Sequence, residues 1–489
     1  VKFYGTRHEN NAISMAEGYA AATGRLGIVI IGRGPATANG MNGATYTQRS
    51  GSPVLMIFSD APNAQPAPNG LGPDRKGFNS SAVLQGAGIR TFIANDSVTA
   101  RRTLVQAATA AQHGAVALLL PANVQQAQID PVATAPGRME PARYTPRPAR
   151  ESAIQAAVEL LEKSRKPLFL VGKGAHLADA REAIISLADH VGAALATTMK
   201  AKDMFRGHPF DCGILGSFSN AGGRRLIEQA DCVVAIGAGL NQNTTSFGAS
   251  IPADLPLIQI DSVRSNIGRW FHADVAVVGD AKLAVEQLLA TIPARPQANM
   301  AMRSEENARW LAEFDLADDF EPMNTPRTMD PRSLALELDR LLPADRNVIW
   351  DSGNILTTMP YLSVPSPANF KQTSDNASIG MGFGTAMGFA VGAPDRTTVF
   401  LIGDGSLLMT MGELATVACE GIPLLIVVLN DCAYGAELHF LKERNMPIAL
   451  SQFPDIDFAP VAEAFGFEAA TVRTLDELRA LAPRLANPE

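Results

Sequence analysis

Short apolar runs recur along this chain, and most are followed by segments with helical spacing. Gly27-Ile28-Val29-Ile30-Ile31, Pro53-Val54-Leu55-Met56-Ile57-Phe58 and Ala115-Val116-Ala117-Leu118-Leu119-Leu120 are the first of them. Pro167-Leu168-Phe169-Leu170-Val171, Cys232-Val233-Val234-Ala235-Ile236 and Leu257-Ile258-Gln259-Ile260 follow. Asn347-Val348-Ile349-Trp350, Val399-Phe400-Leu401-Ile402 and Leu425-Ile426-Val427-Val428-Leu429 close the series. Strands this apolar on both faces belong to parallel sheets covered by helices. Residues 151–162 and 281–289 carry apolar side chains at helical spacing, as such covering helices require. The pattern predicts an α/β chain of repeated strand–helix units. With 489 residues, 46% of them hydrophobic, about three domains are expected.

Two boundaries are suggested. Residues 131–150 are rich in Pro, Ala and Arg without periodicity, which suits a linker. Residues 296–331 are polar and contain Pro296, Pro322, Pro326 and Pro331. The blocks expected are 1–135, 150–295 and 330–489. The segment Val1-Lys2-Phe3-Tyr4 reads as a further strand, and the ends read as though native residues were missing from both. A net charge of −8 argues against a nucleic-acid surface, which needs clustered Lys and Arg, but leaves room for small anionic substrates. Cys212, Cys232, Cys419 and Cys432 show no close pairing, so neither a disulfide framework nor a thiolate zinc site is expected. No apolar run approaches the roughly 20 residues of a membrane helix, and no signal-peptide pattern is read. The expected setting is cytoplasmic, away from membranes.

The strongest chemical signal lies at 403–435. The run 399–402 leads into Gly403-Asp404-Gly405-Ser406, and the run 424–429 ends at Asn430-Asp431-Cys432. Asp404 and Asn430 are 26 residues apart, both at carboxyl ends of expected parallel strands, where open α/β sheets bind ligands. Magnesium takes oxygen ligands, typically a carboxylate, an amide or backbone oxygen and phosphate oxygens. Asp404 can supply the carboxylate, Asn430 the amide oxygen and Cys432 a backbone carbonyl. Gly403 and Gly405 permit close approach to a diphosphate, and Ser406 offers a hydroxyl or an amide at the start of the next helix. Taken alone, Gly-Asp-Gly is an ordinary turn. The Asn at this spacing makes the combination specific.

That combination resembles the signature of the thiamine-diphosphate (ThDP) enzymes, in particular the acetolactate synthase, benzoylformate decarboxylase and pyruvate decarboxylase group. The resemblance covers nearly the whole chain. It includes Gly412-Glu413-Leu414-Ala415-Thr416, Asp457-Phe458-Ala459 and Ala464-Phe465-Gly466, and near the start His8-Glu9, Gly18-Tyr19-Ala20 and Thr23-Gly24. It implies three domains, two ThDP-binding parallel-sheet domains flanking a Rossmann-like middle domain. It implies that Glu9 hydrogen-bonds the aminopyrimidine ring and favours the tautomer that removes the proton from the thiazolium carbon. From the residues alone, Glu9 reads rather as an acid favoured at a helix start. His8 is either structural or catalytic.

The resemblance extends to Ile379-Gly380-Met381-Gly382-Phe383-Gly384, where Met381 falls on the apolar residue that wedges the cofactor into a bent shape; a core methionine is the plainer reading. Asp351-Ser352-Gly353-Asn354 resembles the loop that touches the diphosphate end, and a plain turn would look alike. Gly380, Asn354, Tyr434 and Gly435 join the expected cofactor-binding set. Glu437 occupies the place of an acid facing the reacting carbon, although an exposed helical Glu reads the same. Arg33, in Gly32-Arg33-Gly34-Pro35, departs from the patterns of both benzoylformate decarboxylases and acetolactate synthases; it would bind a substrate carboxylate or pair at the surface. In the middle block, Val171-Gly172-Lys173-Gly174 and Ile236-Gly237-Ala238-Gly239 do not form a clean dinucleotide fingerprint. FAD is possible there but not favoured. The expected activity is Mg²⁺- and ThDP-dependent lysis or ligation of a C–C bond in a small carbonyl substrate, a 2-oxo acid or a 2-hydroxy carbonyl compound. The alternatives are a 2-hydroxyacyl-CoA lyase and a non-catalytic homologue. A homodimer or homotetramer is expected, with Glu9 and Asp404 meeting across a subunit interface.

Overall fold

Each apolar run named above forms a strand in the computed structural model, which describes residues 2–63, 76–129, 145–296 and 299–486. The chain divides into two compact units. One comprises Val1–Ala142, Asp345–Leu356 and Lys371–Glu489; the other comprises Arg143–Ala344 and Thr357–Phe370.

The first unit holds two four-stranded sheets. β1 (Gly27–Ile31), β2 (Val54–Asp60), β3 (Arg90–Ile93) and β4 (Val116–Pro121) form one, in the order β1-β2-β4-β3, with every pairing parallel. The other has the order β12-β11-β13-β14, from β11 (Arg346–Trp350), β12 (Phe370–Gln372), β13 (Thr397–Gly403) and β14 (Leu425–Leu429). β11–β13 and β13–β14 pair parallel. The second unit is built on a six-stranded sheet of β5 (Pro167–Val171), β6 (Ala194–Thr197), β7 (Asp211–Ile214), β8 (Cys232–Ile236), β9 (Leu257–Asp261) and β10 (Val275–Val278), in the order β10-β9-β8-β5-β6-β7. Its central strands β5 (Pro167–Val171) and β8 (Cys232–Ile236) are buried at every position. Helices Glu151–Lys163 and Ala281–Thr291 contribute Ile154, Val158, Leu161, Val285 and Leu288 to its core.

In the first unit, helices Glu9–Thr23 and Met381–Gly392 pack against each other through glycine. A Cβ on Gly18 would lie 2.0 Å from the Thr385 carbonyl oxygen, and one on Gly388 would lie 1.9 Å from that of Met15. A Cβ on Gly384 would lie 2.1 Å from the Ser14 hydroxyl. The backbones therefore approach at a distance only hydrogen side chains allow. Beside this seam Glu17 is fully buried and paired with Lys371 Nζ at 2.5 Å. Tyr46 (2.9 Å) and Ser52 (2.6 Å) donate their hydroxyls to the same carboxylate. The charge is thus hydrogen-bonded on both oxygens, as a buried ion must be.

Several expectations change. Residues 2–8 carry no regular structure, so Lys2–Tyr4 is not a strand; Val1 lies outside the described residues. The backbone amides of Gly5, Arg7 and His8 are taken by carboxylates of helix Glu413–Glu420 instead of by a sheet neighbour. β3, β6 (Ala194–Thr197), β7 (Asp211–Ile214) and β10 (Val275–Val278) were not anticipated. All are four residues long, too short to stand out by periodicity. Most of the 131–150 segment lies outside the described residues. The polar stretch 296–331 is not a bare connection. Its helix Glu305–Glu313 is anchored by Trp310, whose indole N–H donates to the Gly222 carbonyl at 3.0 Å. The glycines of the middle block have a packing use, since a Cβ on Gly172 would lie 2.3 Å from the Gly237 carbonyl oxygen. Among the described residues no helix is long and apolar enough to cross a membrane, and all four cysteines are free.

Candidate active site

Gly403 and Leu429 are register partners, so Asp404 and Asn430 each stand one residue beyond, at the carboxyl ends of adjacent parallel strands. The Asp404 carboxyl is buried, and its Oδ2 has no hydrogen-bond partner. Burial, with the nearby Asp431 carboxylate adding to it, pushes the Asp404 carboxyl up to about 6 against the lowering pull of the Gly405 amide. Burial also raises Asp431, opposed by the Ala433 amide and the Asn354 side chain. Asn430 is held by its amide nitrogen, which donates to Asp455 Oδ1 at 3.1 Å and to the Ile456 carbonyl at 3.0 Å. Its oxygen faces the Cys432 turn, accepting from the Cys432 amide at 3.3 Å. Cys432 has φ of 58°, a left-handed conformation uncommon outside glycine. Tyr434 lies over Gly405, where a Cβ would meet its ring at 2.8 Å, and Gly435 backs onto Asp431 Oδ2.

Two apposed carboxylates, one with an unpartnered buried oxygen, have the chemistry of a hard-cation site. Among the described residues no three His, Cys, Asp or Glu side chains converge. The protein would therefore supply part of the shell and leave positions for phosphate oxygens, which suits magnesium. Asp404 would give its carboxylate, Asn430 its amide oxygen and Cys432 its carbonyl.

Asp351 stands out as a residue whose role the sequence left as a loop contact. It is fully buried and accepts from the Gly380 amide (2.7 Å), the Gly382 amide (2.9 Å) and the Thr373 hydroxyl (2.8 Å), and also from the Ser406 hydroxyl. One carboxylate thus grips the peptide on either side of Met381 and ties it to the Gly-Asp-Gly-Ser loop. Ser406 keeps only its backbone amide for a ligand. Met381 is buried at the start of its helix, directly after Gly380 with φ of 86°.

Glu9 opens helix Glu9–Thr23, and His8 caps it, Nδ1 accepting from the Asn10 amide at 3.1 Å. Glu9 Oε2 accepts from Asn39 Nδ2 at 3.3 Å. The Arg33 charge lies close enough to Asp60 to offset part of the upward push that burial gives that carboxyl. Glu437 is exposed on helix Gly435–Glu443, beside an apolar groove formed with Phe440, Leu441 and Arg444. The geometry thus gathers Asp404, Asp431, Cys432, Asn354, Gly405, Tyr434 and Gly435 in one cluster, and Gly380, Met381 and Ser406 around Asp351. His8 and Glu9 form a third group.

The raised Asp404 carboxyl has a measurable consequence. Its folded value near 6 exceeds the unfolded value of about 3.9. The metal-free fold therefore binds a proton that the unfolded chain has released, and this contribution to stability is lost as pH rises from about 4 to about 6. A cation needs the ionised form and reverses the penalty. Thermal melts should show a larger Mg²⁺-induced rise in Tm at pH 7.5 than at pH 5. Asp404→Asn should abolish that difference.

Comparison with known proteins identifies the family. Residues 1–79 match the thiamine pyrophosphate enzyme N-terminal TPP binding domain, 154–288 its central domain, and 351–487 its C-terminal TPP binding domain. The chain is 27% identical to an acetolactate synthase large subunit of Parasynechococcus marenigrum (strain WH8102), over 100% of this chain and 79% of that protein. It is 28% identical to a sulfoacetaldehyde acetyltransferase of Alcaligenes xylosoxydans xylosoxydans, over 96% of this chain and 82% of that protein. It is 25% identical to a probable acetolactate synthase large subunit of Methanocaldococcus jannaschii, over 97% and 81% respectively. With an N-terminal, a central and a C-terminal domain of one family matched in order along an α/β chain, this protein belongs to the thiamine-diphosphate-dependent enzymes.

Proposed function

We propose that this protein uses Mg²⁺ and ThDP to make or break a C–C bond next to a carbonyl, acting on a 2-oxo acid or a 2-hydroxy carbonyl compound. The observation that carries the reading is the buried, unpartnered oxygen of Asp404 beside Asp431, one residue beyond paired parallel strands. The similar proteins are named for acetolactate synthesis and for acetyl transfer with sulfoacetaldehyde, which supports a small carbonyl substrate. When bound, ThDP supplies the carbon nucleophile and stores the electron pair. The chain's own task is to hold and orient. Asp404, Asn430 and the Cys432 carbonyl would hold the metal. Gly403, Gly405 and Ser406, with Asn354, Tyr434 and Gly435, would border the diphosphate. Met381, at its buried helix start, would support the rings. Glu9 would hold and move a proton at its carboxylate, assisted by the position of His8. Glu437 would exchange a proton with the substrate or steer it.

The reading is tested with a panel of 2-oxo acids and acyloins, with ThDP and Mg²⁺ added and products identified. Turnover of at least one class is expected. Calorimetry that finds no ThDP uptake by the assembled protein would sink it.

The same reading includes a homodimer or homotetramer in which Glu9 of one copy serves the metal loop of another. Co-assembly of inactive Glu9→Gln and Asp404→Ala chains should then restore roughly a quarter of wild-type activity, because statistical pairing leaves half the dimers mixed and each mixed dimer has one intact site. Hybrids with no activity would place both residues of a site on one chain.

A further inference from the structure

The peptide that leads into Glu9 is held by an acid from a distant part of the chain. Glu413, the first residue of helix Glu413–Glu420, is buried. Its Oε1 accepts from the Arg7 amide at 3.1 Å and from the His8 amide at 2.9 Å, and its Oε2 accepts from the Arg7 amide at 3.2 Å. The Thr416 hydroxyl donates to Oε2 at 2.6 Å and orients the carboxylate from within the same helix. Further along that helix Glu420 takes the Gly5 amide at 3.1 Å. Residues 2–8 have no sheet or helix of their own, so these carboxylates do the work a strand neighbour would do. Immediately after the clamp, the His8 carbonyl accepts from the amides of Asn11 and Ala12, both at 3.0 Å, and the helix begins. The direction in which Glu9 leaves the backbone is therefore set by the peptide plane between Arg7 and His8, and that plane is set by Glu413.

We infer that Glu413 is a positioning residue for Glu9: its carboxylate clamps the Arg7 and His8 amides and aims the turn from which Glu9 projects. The inference rests on the proposed role of Glu9. A carboxylate receiving backbone N–H donors makes charge-assisted bonds, roughly twice as strong as neutral ones. Gln at this position keeps one carbonyl oxygen but turns an N–H₂ toward the amides, so the clamp loses half its acceptors while the volume is preserved. Thr416→Val leaves the clamp intact and loosens its orientation.

The test combines amide hydrogen exchange on the full chain without cofactor, calorimetric ThDP binding with Mg²⁺, and kcat. In the wild type, the Arg7 and His8 amides should exchange about 100-fold or more slowly than free peptide, although both residues are exposed. Glu413→Gln should speed that exchange about 10-fold and lower kcat about 10- to 100-fold, with Kd for ThDP changed less than about threefold. Thr416→Val should fall between Glu413→Gln and wild type. A merely structural role would instead lower ThDP binding and kcat together, in step with the folded fraction. Unprotected Arg7 and His8 amides in the wild type overturn the inference, whatever the variants do. So does folded Glu413→Gln with full kcat while Glu9→Gln is inactive. Full turnover in Glu9→Gln removes Glu9 from the mechanism, and the clamp's purpose with it, while absence of ThDP uptake overturns the functional reading itself.

Discussion

Glu9→Gln should lower kcat by about 10²- to 10⁴-fold, the range of a lost proton-transfer group, while ThDP and Mg²⁺ still bind. The substitution keeps shape and can still accept from Asn39, which now meets the Glu9 carboxylate at 3.3 Å. It removes only the ability to hold and release a proton. Steady-state kinetics with calorimetry would check both halves. A fall in cofactor binding that matches the fall in kcat would make Glu9 an anchor, and unchanged turnover would remove it from the mechanism.

The second large effect falls on stability. Lys371→Met removes the cation that Glu17, fully buried, meets at 2.5 Å, while the Tyr46 and Ser52 hydroxyls and the weaker Thr385 contact stay among its partners. Breaking a buried ion pair on one side costs about 3–5 kcal/mol. Tm should drop by roughly 6 °C or more. Glu17→Leu combined with Lys371→Met should recover much of the loss, because an apolar pair of similar volume carries no stranded charge. Differential scanning calorimetry of the two variants decides it. A single variant that melts like wild type would mean water reaches Glu17 in solution.

Much of this was legible in the sequence, for a definite physical reason. A parallel strand buried on both faces writes itself as a contiguous apolar run, so β5, β8 and β13 could be read directly; β1 carries the same run, yet its Ile28 and Ile30 are exposed. Asp404 and Asn430 lie at the ends of two such runs, which gave the metal loop its place. The four-residue strands lacked the length to show a period. Asp351 and Glu413 were harder still. Asp351 acts on amides 29 and 31 residues ahead, and Glu413 on amides 405 and 406 residues behind. Hydrogen bonds of that separation leave no local pattern. The one cue was chemical: Glu413 is an acid among the buried Leu407, Leu414 and Val417, and an acid in such company needs donors. The Val1–Tyr4 expectation failed for the complementary reason. Its composition suits a strand, but residues 2–4 have no regular structure, and the amides that follow, of Gly5, Arg7 and His8, are taken by side-chain carboxylates.

The glycine seam has a mechanical meaning for chemistry at its far end. Gly18 stands nine residues from Glu9 along one helix, a lever of about 13 Å at 1.5 Å per residue. Inserting even a methyl group at Gly18 would force the two rods apart where they touch. A pivot of about 5° there swings the tip of that lever by about 1 Å, and errors of that size cost proton-transfer sites on the order of 100-fold. Bulk tolerated at the fulcrum would therefore be felt as mis-aim at the tip.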